Sequence, residues 1–184
     1  MRKNFGAKPF LAPQPVLIVA TYDESGNPNA MNAAWGGMCG ADEIMIDLGA
    51  HLTTDNIAKT KAFTVSIASG KYAAACDYVG VVSGKDAPDK MQKAGFTVTK
   101  SEFVNAPVIN ELPIALECEL IEVFPGGKHI GKIKNVSVCE CALDDKGEID
   151  LAKLDIIVVD PFYHGYYRLG EKVGDAFKSG FALK

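Results

Sequence analysis

Short apolar runs and alternating apolar and polar positions dominate this chain, and they predict a protein built mainly of β-strands. The segment PGGK at 125–128 separates two long strand patterns and predicts a β-hairpin turn, because glycine supplies the positive φ angles that such turns need. We therefore expect antiparallel pairing. The predicted strands cover residues 15–23, 43–48, 62–68, 113–124, 129–143 and 155–160.

Helical patterns are fewer and shorter, and they cover residues 54–60, 71–80, 86–95 and 173–180. They do not alternate with the strands one by one, which disfavours a doubly wound parallel sheet and favours a mainly β protein, a β-barrel with peripheral helices. The sequence contains no internal repeat, linker or low-complexity block. We therefore expect a single domain over residues 1–184.

Composition and charge narrow the classes of partner. The formal net charge is -4, and Lys and Arg are scattered and outnumbered by Asp and Glu, so we expect no binding to DNA or RNA. The first apolar segment is short and interrupted by prolines, unlike a signal peptide or a membrane span. We expect a cytoplasmic protein that does not enter a membrane.

The chain has five cysteines, an odd number that cannot all form disulfides within one chain, and a chain of this length needs no crosslinks. Free thiols in a reducing compartment therefore fit them best. Cys139 and Cys141 form a CxC pair, and paired thiolates are what zinc prefers. No second cysteine pair accompanies them, so we predict no metal site. We interpret the two as packed, inert thiols on one face of a strand.

The segment DLGAHLTTDNIAK at 47–59 runs from a strand into a short helix and predicts an anion site. Thr53 or Thr54 is a good N-cap, which leaves backbone N–H groups at the helix start facing an anion. A protonated His51 would add positive charge. The alternative is an ordinary capped surface helix, and this segment alone leaves both interpretations open.

The segment NPNAMNAAWGG at 27–37 contains no charge and surrounds the only tryptophan. A loop of small residues and amides lets backbone N–H and C=O groups approach the edge of a flat heteroaromatic ring. The alternative is a glycine-rich loop with a core tryptophan. The motifs GxGxxG, GxxxxGK[ST] and GxSxG are all absent, so a phosphate-bearing cofactor would need another binding device.

These two segments belong to an ordered series that resembles the flavin reductase-like family of FMN-binding split barrels, particularly its flavoredoxin-like branch. The resemblance covers nearly the whole chain, and the order of the segments makes it specific. Departures occur at 39–45, where relatives often have a proline pair, and at His51, where they often have an arginine or lysine. The series comprises residues 13–37, 51–57, 62–67, 77–90, 104–120 and 167–180.

The resemblance implies a Greek-key split barrel that forms a homodimer, with one FMN near each subunit interface. It implies an isoalloxazine segment, a segment beside the flavin and ribityl chain, and a phosphate pocket in which Lys90 is the counter-charge. The isoalloxazine segment is Asn32, Ala33, Ala34 and Trp35; the second segment is Leu48, Gly49 and Ala50; the phosphate residues are His51, Thr53, Thr54, Ser83, Gly84 and Lys90.

The implied reaction is hydride transfer from NADH or NADPH to N5 of FMN, for which the protein supplies geometry and electrostatics, so we assign no catalytic side chain. One alternative is a flavoredoxin-like electron carrier with permanently bound FMN and protein redox partners. Another is a flavin-less structural or ligand-binding barrel. The tail at 161–174, with three tyrosines and His164, either covers a flavin, shapes the dimer contact or packs as a terminal strand.

Overall fold

The computed structural model describes residues 1–184 and contains three antiparallel sheets, four α-helices and three 3₁₀ turns. The strands are β1 Gln14–Pro15, β2 Leu17–Tyr22, β3 Pro28–Ala33, β4 Gly36–Met38, β5 Glu43–Asp47, β6 Ala62–Ile67, β7 Val98–Lys100, β8 Pro107–Ile109, β9 Ile114–Phe124, β10 Lys128–Val138, β11 Ile157–Val159 and β12 Tyr166–Arg168. The helices are α1 Leu52–Thr60, α2 Ala73–Val81, α3 Lys90–Lys93 and α4 Leu151–Leu154, and the 3₁₀ turns are Gly70–Tyr72, Glu140–Ala142 and Ser179–Leu183.

A curled sheet of seven strands in the order β3-β2-β6-β9-β10-β5-β4 forms the body of the protein. The long strands β9 and β10 form the hairpin, and register shifts in β10 at Ile130/Gly131 and Ile133/Asn135 mark irregularities of the kind that bend a strand. This architecture confirms the mainly β prediction with peripheral helices. The smaller sheets are β1-β11-β12 and β7-β8.

Strand β2, between β3 and β6, is buried on both faces, which explains its continuous apolar run. Leu17 and Val19 face the inside of the curled sheet, where they pack with Ile57 of α1 and Phe63 of β6. A Cβ at Gly131 would lie 2.4 Å from Cζ of the fully buried Phe63, so glycine at this position lets the ring pack across the inside. The outer face of β2 packs against α2 and α3 through Val16, Ile18, Ala20, Cys76, Val79 and Met91.

The prediction of a loop at 27–37 was wrong, because most of this segment forms β3 and β4 and only Ala34 and Trp35 lie between the two strands. Pairing along the whole of β2 overrides the weak strand preference of Asn and Ala. A Cβ at Gly36 would lie 2.9 Å from Leu17 Cδ1, so glycine allows β4 to approach closely. Trp35 is 56% exposed, which also excludes a core tryptophan.

Several predicted boundaries were also wrong. The helix predicted at 86–95 is reduced to α3, and the pattern at 173–180 forms no α-helix. The strand predicted to reach residue 143 ends at Val138, because the partner strand β9 begins at Ile114 and leaves nothing further to pair with. The strands β1, β3, β4, β7, β8 and β12 and the helix α4 were not predicted.

The earlier strand end changes the interpretation of the CxC pair. Cys139 and Cys141 are exposed, lie at a 3₁₀ turn and are joined by a disulfide, so they are neither packed in a strand nor free thiols. The free-thiol prediction is confirmed for the other three cysteines, of which Cys76 and Cys118 are buried and Cys39 is exposed.

No helix in the structure combines the length and apolar character needed to cross a membrane. No group of three or more His, Cys, Asp or Glu side chains has an arrangement suited to a metal ion.

Candidate functional site

Helix α1 begins directly after the end of β5, and His51 is its N-cap, with extended backbone angles of φ -137° and ψ 163°. The prediction that Thr53 or Thr54 caps the helix was wrong. Thr54 lies in the first turn, where its hydroxyl accepts a hydrogen bond of 3.0 Å from the His51 N–H. The first-turn N–H groups of Leu52 and Thr53 have no intrahelical acceptor and remain available to an anion.

Thr53 is fixed by a contact that the sequence pattern did not indicate. Thr53 as a whole is 1% exposed, and its hydroxyl accepts a hydrogen bond of 2.8 Å from Nδ2 of Asn29. The accepting hydroxyl keeps its own proton free to donate. Asn29 lies on β3 and is itself buried, so this bond joins the first turn of α1 to the sheet.

The segment between α2 and α3 packs against the same corner. A Cβ at Gly84 would lie 2.4 Å from Asn29 Oδ1 and 2.8 Å from Leu52 Cδ2, so only glycine allows this approach. Beside it, Lys85 pairs with Asp55 of α1 at 2.8 Å, and both side chains are more than half exposed. The exposed pair adds little stability, whereas the backbone approach at Gly84 sets the shape of the corner.

Lys90 is the buried cation of this corner, with 3% of its surface exposed. Its ammonium donates hydrogen bonds to the carbonyl oxygens of Val79 at 3.2 Å and Val82 at 3.0 Å, at the C-terminal end of α2. Carbonyls at a helix C-terminus favour a cation, and a third N–H remains for another acceptor. Burial lowers the pKa of Lys90 to about 8.

These elements enclose a cavity of about 150 Å³ that we call the anion corner. Five of the six predicted phosphate residues line it, and Thr54 acts instead through the backbone of His51. A volume of 150 Å³ is below the roughly 300–1,000 Å³ of pockets that enclose a whole small ligand, so the corner suits one end of a larger molecule. The lining is Asn29, Met31, His51, Leu52, Thr53, Val79, Gly80, Val81, Val82, Ser83, Gly84 and Lys90.

The predicted isoalloxazine residues continue along and just beyond β3 from this corner. Asn32 donates to the carbonyl of Cys76 at 3.2 Å, and a Cβ at Gly80 would lie 2.7 Å from Asn32 Cβ, so α2 packs directly on the strand. Ala33 is buried inside the curled sheet and can offer a ligand only its backbone. The Trp35 carbonyl accepts a bond of 2.8 Å from Asp47 N–H, which fixes the turn after β3.

Ala34 and Trp35 line a second cavity, of about 430 Å³, which we call the Trp35 cleft. Met31 lines the anion corner and Ala34 lines the cleft; three residues of extended chain separate them by about 10 Å. The lining of the cleft is Leu11, Pro13, Gln14, Pro15, Ala34, Trp35, Gly36, Gly37, Met38, Cys39, Met45 and Asp47.

The segment Leu48, Gly49 and Ala50 lines neither cavity and instead connects β5 to α1. The hairpin turn holds it in place, because Leu48 N–H donates to the Gly127 carbonyl at 2.9 Å. Gly127 has φ +89°, and a Cβ there would lie 2.2 Å from the Leu48 carbonyl oxygen, so glycine is required. Leu48 is buried, while Gly49 and Ala50 are exposed.

The C-terminal tail reaches the isoalloxazine segment through β12. The Tyr166 hydroxyl donates to Asp77 Oδ1 at 2.7 Å and accepts from Asn32 Nδ2 at 3.4 Å. Burial, followed by the bond to Asp77, raises the pKa of Tyr166 to about 12, so the hydroxyl stays protonated. Asn29, Gly80 and Tyr166 were not predicted as site residues, because each acts through a contact distant in sequence that no local pattern indicates.

Comparison with known proteins gives the family. Residues 11–159 match the family model described as "Flavin reductase like domain". An uncharacterised protein of Aeropyrum pernix is 26% identical over 129 residues, which cover 66% of this chain and 49% of that protein. The match thus spans about half the length of that relative.

Solved structures agree in fold over almost the whole chain. The flavoredoxin of Desulfovibrio vulgaris (Miyazaki F) is 38% identical with a TM-score of 0.93, covering 98% of this chain and 100% of that chain. A flavoredoxin from Methanosarcina acetivorans is 26% identical with a TM-score of 0.88, covering 100% and 99%. Nitrilotriacetate monooxygenase component B from Bacillus cereus, 20% identical with a TM-score of 0.77 and coverage of 95% and 100%, shares the fold.

The predicted split-barrel fold is therefore confirmed, with the half-barrel described above as its body. The family-model match and the similarity to two flavoredoxins confirm the resemblance that the sequence indicated. This chain belongs to the flavin reductase-like family, in its flavoredoxin branch.

Proposed function

We propose that this protein binds FMN and acts as an oxidoreductase that uses NADH or NADPH to reduce the flavin. The observation that carries the proposal is the anion corner, where the start of α1, the segment around Gly84 and the buried Lys90 converge. Membership of the flavin reductase-like family and similarity to flavoredoxins support it.

The donors of the anion corner fit a phosphate. The helix start offers N–H groups, Thr53 and Ser83 offer hydroxyls, and Lys90 offers an ammonium group. A phosphate monoester carries close to two negative charges near neutral pH, because its second pKa is about 6. Hydrogen bonds to charged acceptors are the stronger class, so these donors would hold the phosphate of FMN without the arginine or lysine that relatives often have at the position of His51.

The rest of the cofactor would extend along β3 toward Trp35. The distance of about 10 Å between the two cavities leaves room for a chain between a phosphate and a ring system. Asn32, Ala33, Ala34 and Trp35 would line the ring mainly through backbone atoms, and Gly49 and Ala50 would pass beside the ribityl chain. The exposed Trp35 is free to contact a ring or a partner chain.

When bound, FMN would supply hydride and electron transfer at its isoalloxazine ring. The protein residues around the Trp35 cleft include neither histidine nor lysine, and Asp47 in its lining lies 3.7 Å from Lys128. We therefore assign these residues to binding, orientation and exclusion of water, with no general acid or base.

The second candidate function is an electron carrier that holds FMN permanently and exchanges electrons with protein partners. The 38% identity to a flavoredoxin over nearly the full length favours this candidate. The two functions share one site and differ in whether a nicotinamide donates the hydride.

We further propose a homodimer with FMN near the subunit interface. Large apolar side chains are exposed beside the cleft at Trp35 and Met38, and at the end of β9 at Ile121, Val123 and Phe124, each by 45–56%. A second copy of the chain that covered these side chains would remove their apolar surface from water.

Sedimentation equilibrium tests the dimer. We expect twice the chain mass of 19.6 kDa at micromolar concentrations. A single-chain mass there would contradict the dimer and leave the FMN assignment in place.

Replacing the buried cation separates phosphate binding from ring binding. We expect Lys90→Met to weaken FMN binding by about 1.5–3 kcal/mol, or roughly 10- to 100-fold in Kd, because a hydrogen bond to a charged group is lost. Riboflavin, which lacks the phosphate, should bind both proteins equally. Fluorescence titration measures both ligands, and Lys85→Met is the matched control at an exposed lysine. An equal loss for FMN and riboflavin would contradict the phosphate assignment.

The same lysine predicts a pH dependence. In the free protein its pKa is about 8, below its ordinary value of 10.5, so the amine loses its proton as the pH rises through 8. Phosphate favours the protonated form, and the affinity for FMN should therefore fall between pH 8 and 10, by up to about tenfold per pH unit. Titrations at each pH should show no such slope for riboflavin or for Lys90→Met. A flat profile for FMN in the unaltered protein would count against this role.

Anaerobic reduction distinguishes the candidate functions. Protein loaded with FMN should lose its flavin absorbance when NADH or NADPH is added, since a reductase accepts hydride directly. No bleaching by either nicotinamide, together with bleaching by dithionite, would favour the electron carrier. Failure to retain or bind FMN at all would favour the flavin-less barrel. The flavin absorbance spectrum is the measurement in each case.

A further inference from the structure

The CxC pair at the end of β10 is the chemistry that the flavin site does not use. We propose that Cys139 and Cys141 are a redox-active dithiol/disulfide pair that exchanges two electrons with a protein dithiol. This inference goes beyond the proposed flavin chemistry and does not depend on it.

The pair is accessible and held in place by the backbone. Both cysteines are exposed, their Cα atoms are 5.2 Å apart, and a disulfide joins them. Cys139 N–H donates to the Pro113 carbonyl at 2.8 Å, beyond the last residue pair of β9 and β10. The Cys139 carbonyl accepts from Ala142 N–H at 2.9 Å, so the turn keeps its shape without the sulfur–sulfur bond.

A disulfide at this spacing is unsuited to stabilising the fold. The entropy that a crosslink removes from the unfolded chain grows with the length of the closed loop, and here a single residue, Glu140, lies between the cysteines. The surrounding hydrogen bonds already define the turn. The bond therefore adds little to folding, and its exposure leaves it open to thiol exchange.

The other cysteines lack this reactivity or are too distant. Cys76 and Cys118 are fully buried, and burial raises the pKa of each thiol to about 12, which suppresses the reactive thiolate. Cys39 is exposed but distant from the pair. Its N–H bonds to Glu43, and Glu43 pairs with Lys132 of β10, which lies seven residues of strand before Cys139. The CxC pair is therefore the exposed two-thiol unit of this chain.

The two sulfurs are not equivalent. Cys141 N–H donates a hydrogen bond of 3.2 Å to Sγ of Cys139. This bond favours negative charge on Cys139, which makes Cys139 the better leaving group and the more acidic thiol after reduction. An incoming thiolate should consequently attack Sγ of Cys141.

The exchange is balanced with a dithiol as the reductant. Its thiolate forms a bond to Cys141 Sγ while the Cys139–Cys141 bond breaks and Cys139 leaves as a thiolate. The second thiol of the reductant then attacks the mixed disulfide, loses its proton and releases Cys141. Overall, two electrons and two protons pass to the cysteines, and the reductant becomes a disulfide.

Charge around the pair selects the partner. The segment after β10 carries more acidic than basic side chains, so a partner with basic residues around its dithiol should approach faster. The acidic residues are Glu140, Asp144, Asp145, Glu148 and Asp150, and the basic ones are Lys146 and Lys153.

The test uses the full chain in buffers of reduced and oxidised dithiothreitol, followed by alkylation and mass spectrometry. Trypsin releases both cysteines in one peptide, residues 135–146. We expect this peptide to shift between a doubly alkylated form and a disulfide form, which is two hydrogens lighter than the free dithiol, as the ratio changes. Cys76 and Cys118 should stay unmodified, and Cys39→Ser should leave the shift unchanged. Two free thiols at every ratio, or a bond reduced only on unfolding, would overturn the proposal.

Single variants test the asymmetry. We expect the remaining Cys139 of Cys141→Ser to react with iodoacetamide several-fold faster at pH 7 than the remaining Cys141 of Cys139→Ser, since more of it is thiolate. The double variant should leave the urea midpoint unchanged. A lowered midpoint would indicate a structural crosslink and overturn the redox role, and equal alkylation rates would overturn the assigned direction of attack.

The preference for a basic partner is tested with model reductants. Two synthetic CxxC peptides, flanked by lysines or by glutamates, are compared as reductants. We expect the lysine peptide to react several-fold faster at low salt and the difference to vanish at high salt. Equal rates at low salt would overturn the assignment of a basic partner.

Discussion

The hydrogen bond between Asn29 and Thr53 is the contact on which the anion corner depends. It joins β3 to the first turn of α1, and Oδ1 of the same Asn29 is the atom that a Cβ at Gly84 would strike at 2.4 Å. One buried amide therefore sets the positions of a strand, a helix start and a connecting segment. Because a buried amide without a partner is costly, the three segments are held in one arrangement.

Close backbone approaches repeat this principle along the rest of the candidate site. Gly80 brings α2 against Asn32, and Gly127 brings the hairpin turn against Leu48. In both places a side chain would collide with atoms of the predicted flavin segments. The fold thus places these segments by packing elements from distant parts of the chain onto β3 and the end of β5, with glycine where the distance is shortest.

Local patterns predicted the long strands and the hairpin correctly because burial of apolar faces acts over a few residues. They failed where the neighbouring strand decides whether a segment forms a strand and where that strand ends. VSVCECAL continues as a strand by its pattern, yet β10 ends at Val138 because β9 begins at Ile114. NAMNAA lacks the usual strand residues, yet β2 pairs with it throughout. Most of the predicted phosphate residues do converge, whereas Asn29 and Tyr166 carry no local signal and could not be predicted.

The architecture of the anion corner also links binding to folding. A phosphate held there would contact α1, the segment around Gly84 and Lys90 together, and a ligand that binds only the assembled corner stabilises the folded state. In the free protein the Lys90 ammonium is bonded only to carbonyl dipoles, and its desolvation opposes folding. An anion would supply the missing counter-charge. An anion bound against Lys90 would therefore stabilise the corner as well as be held by it.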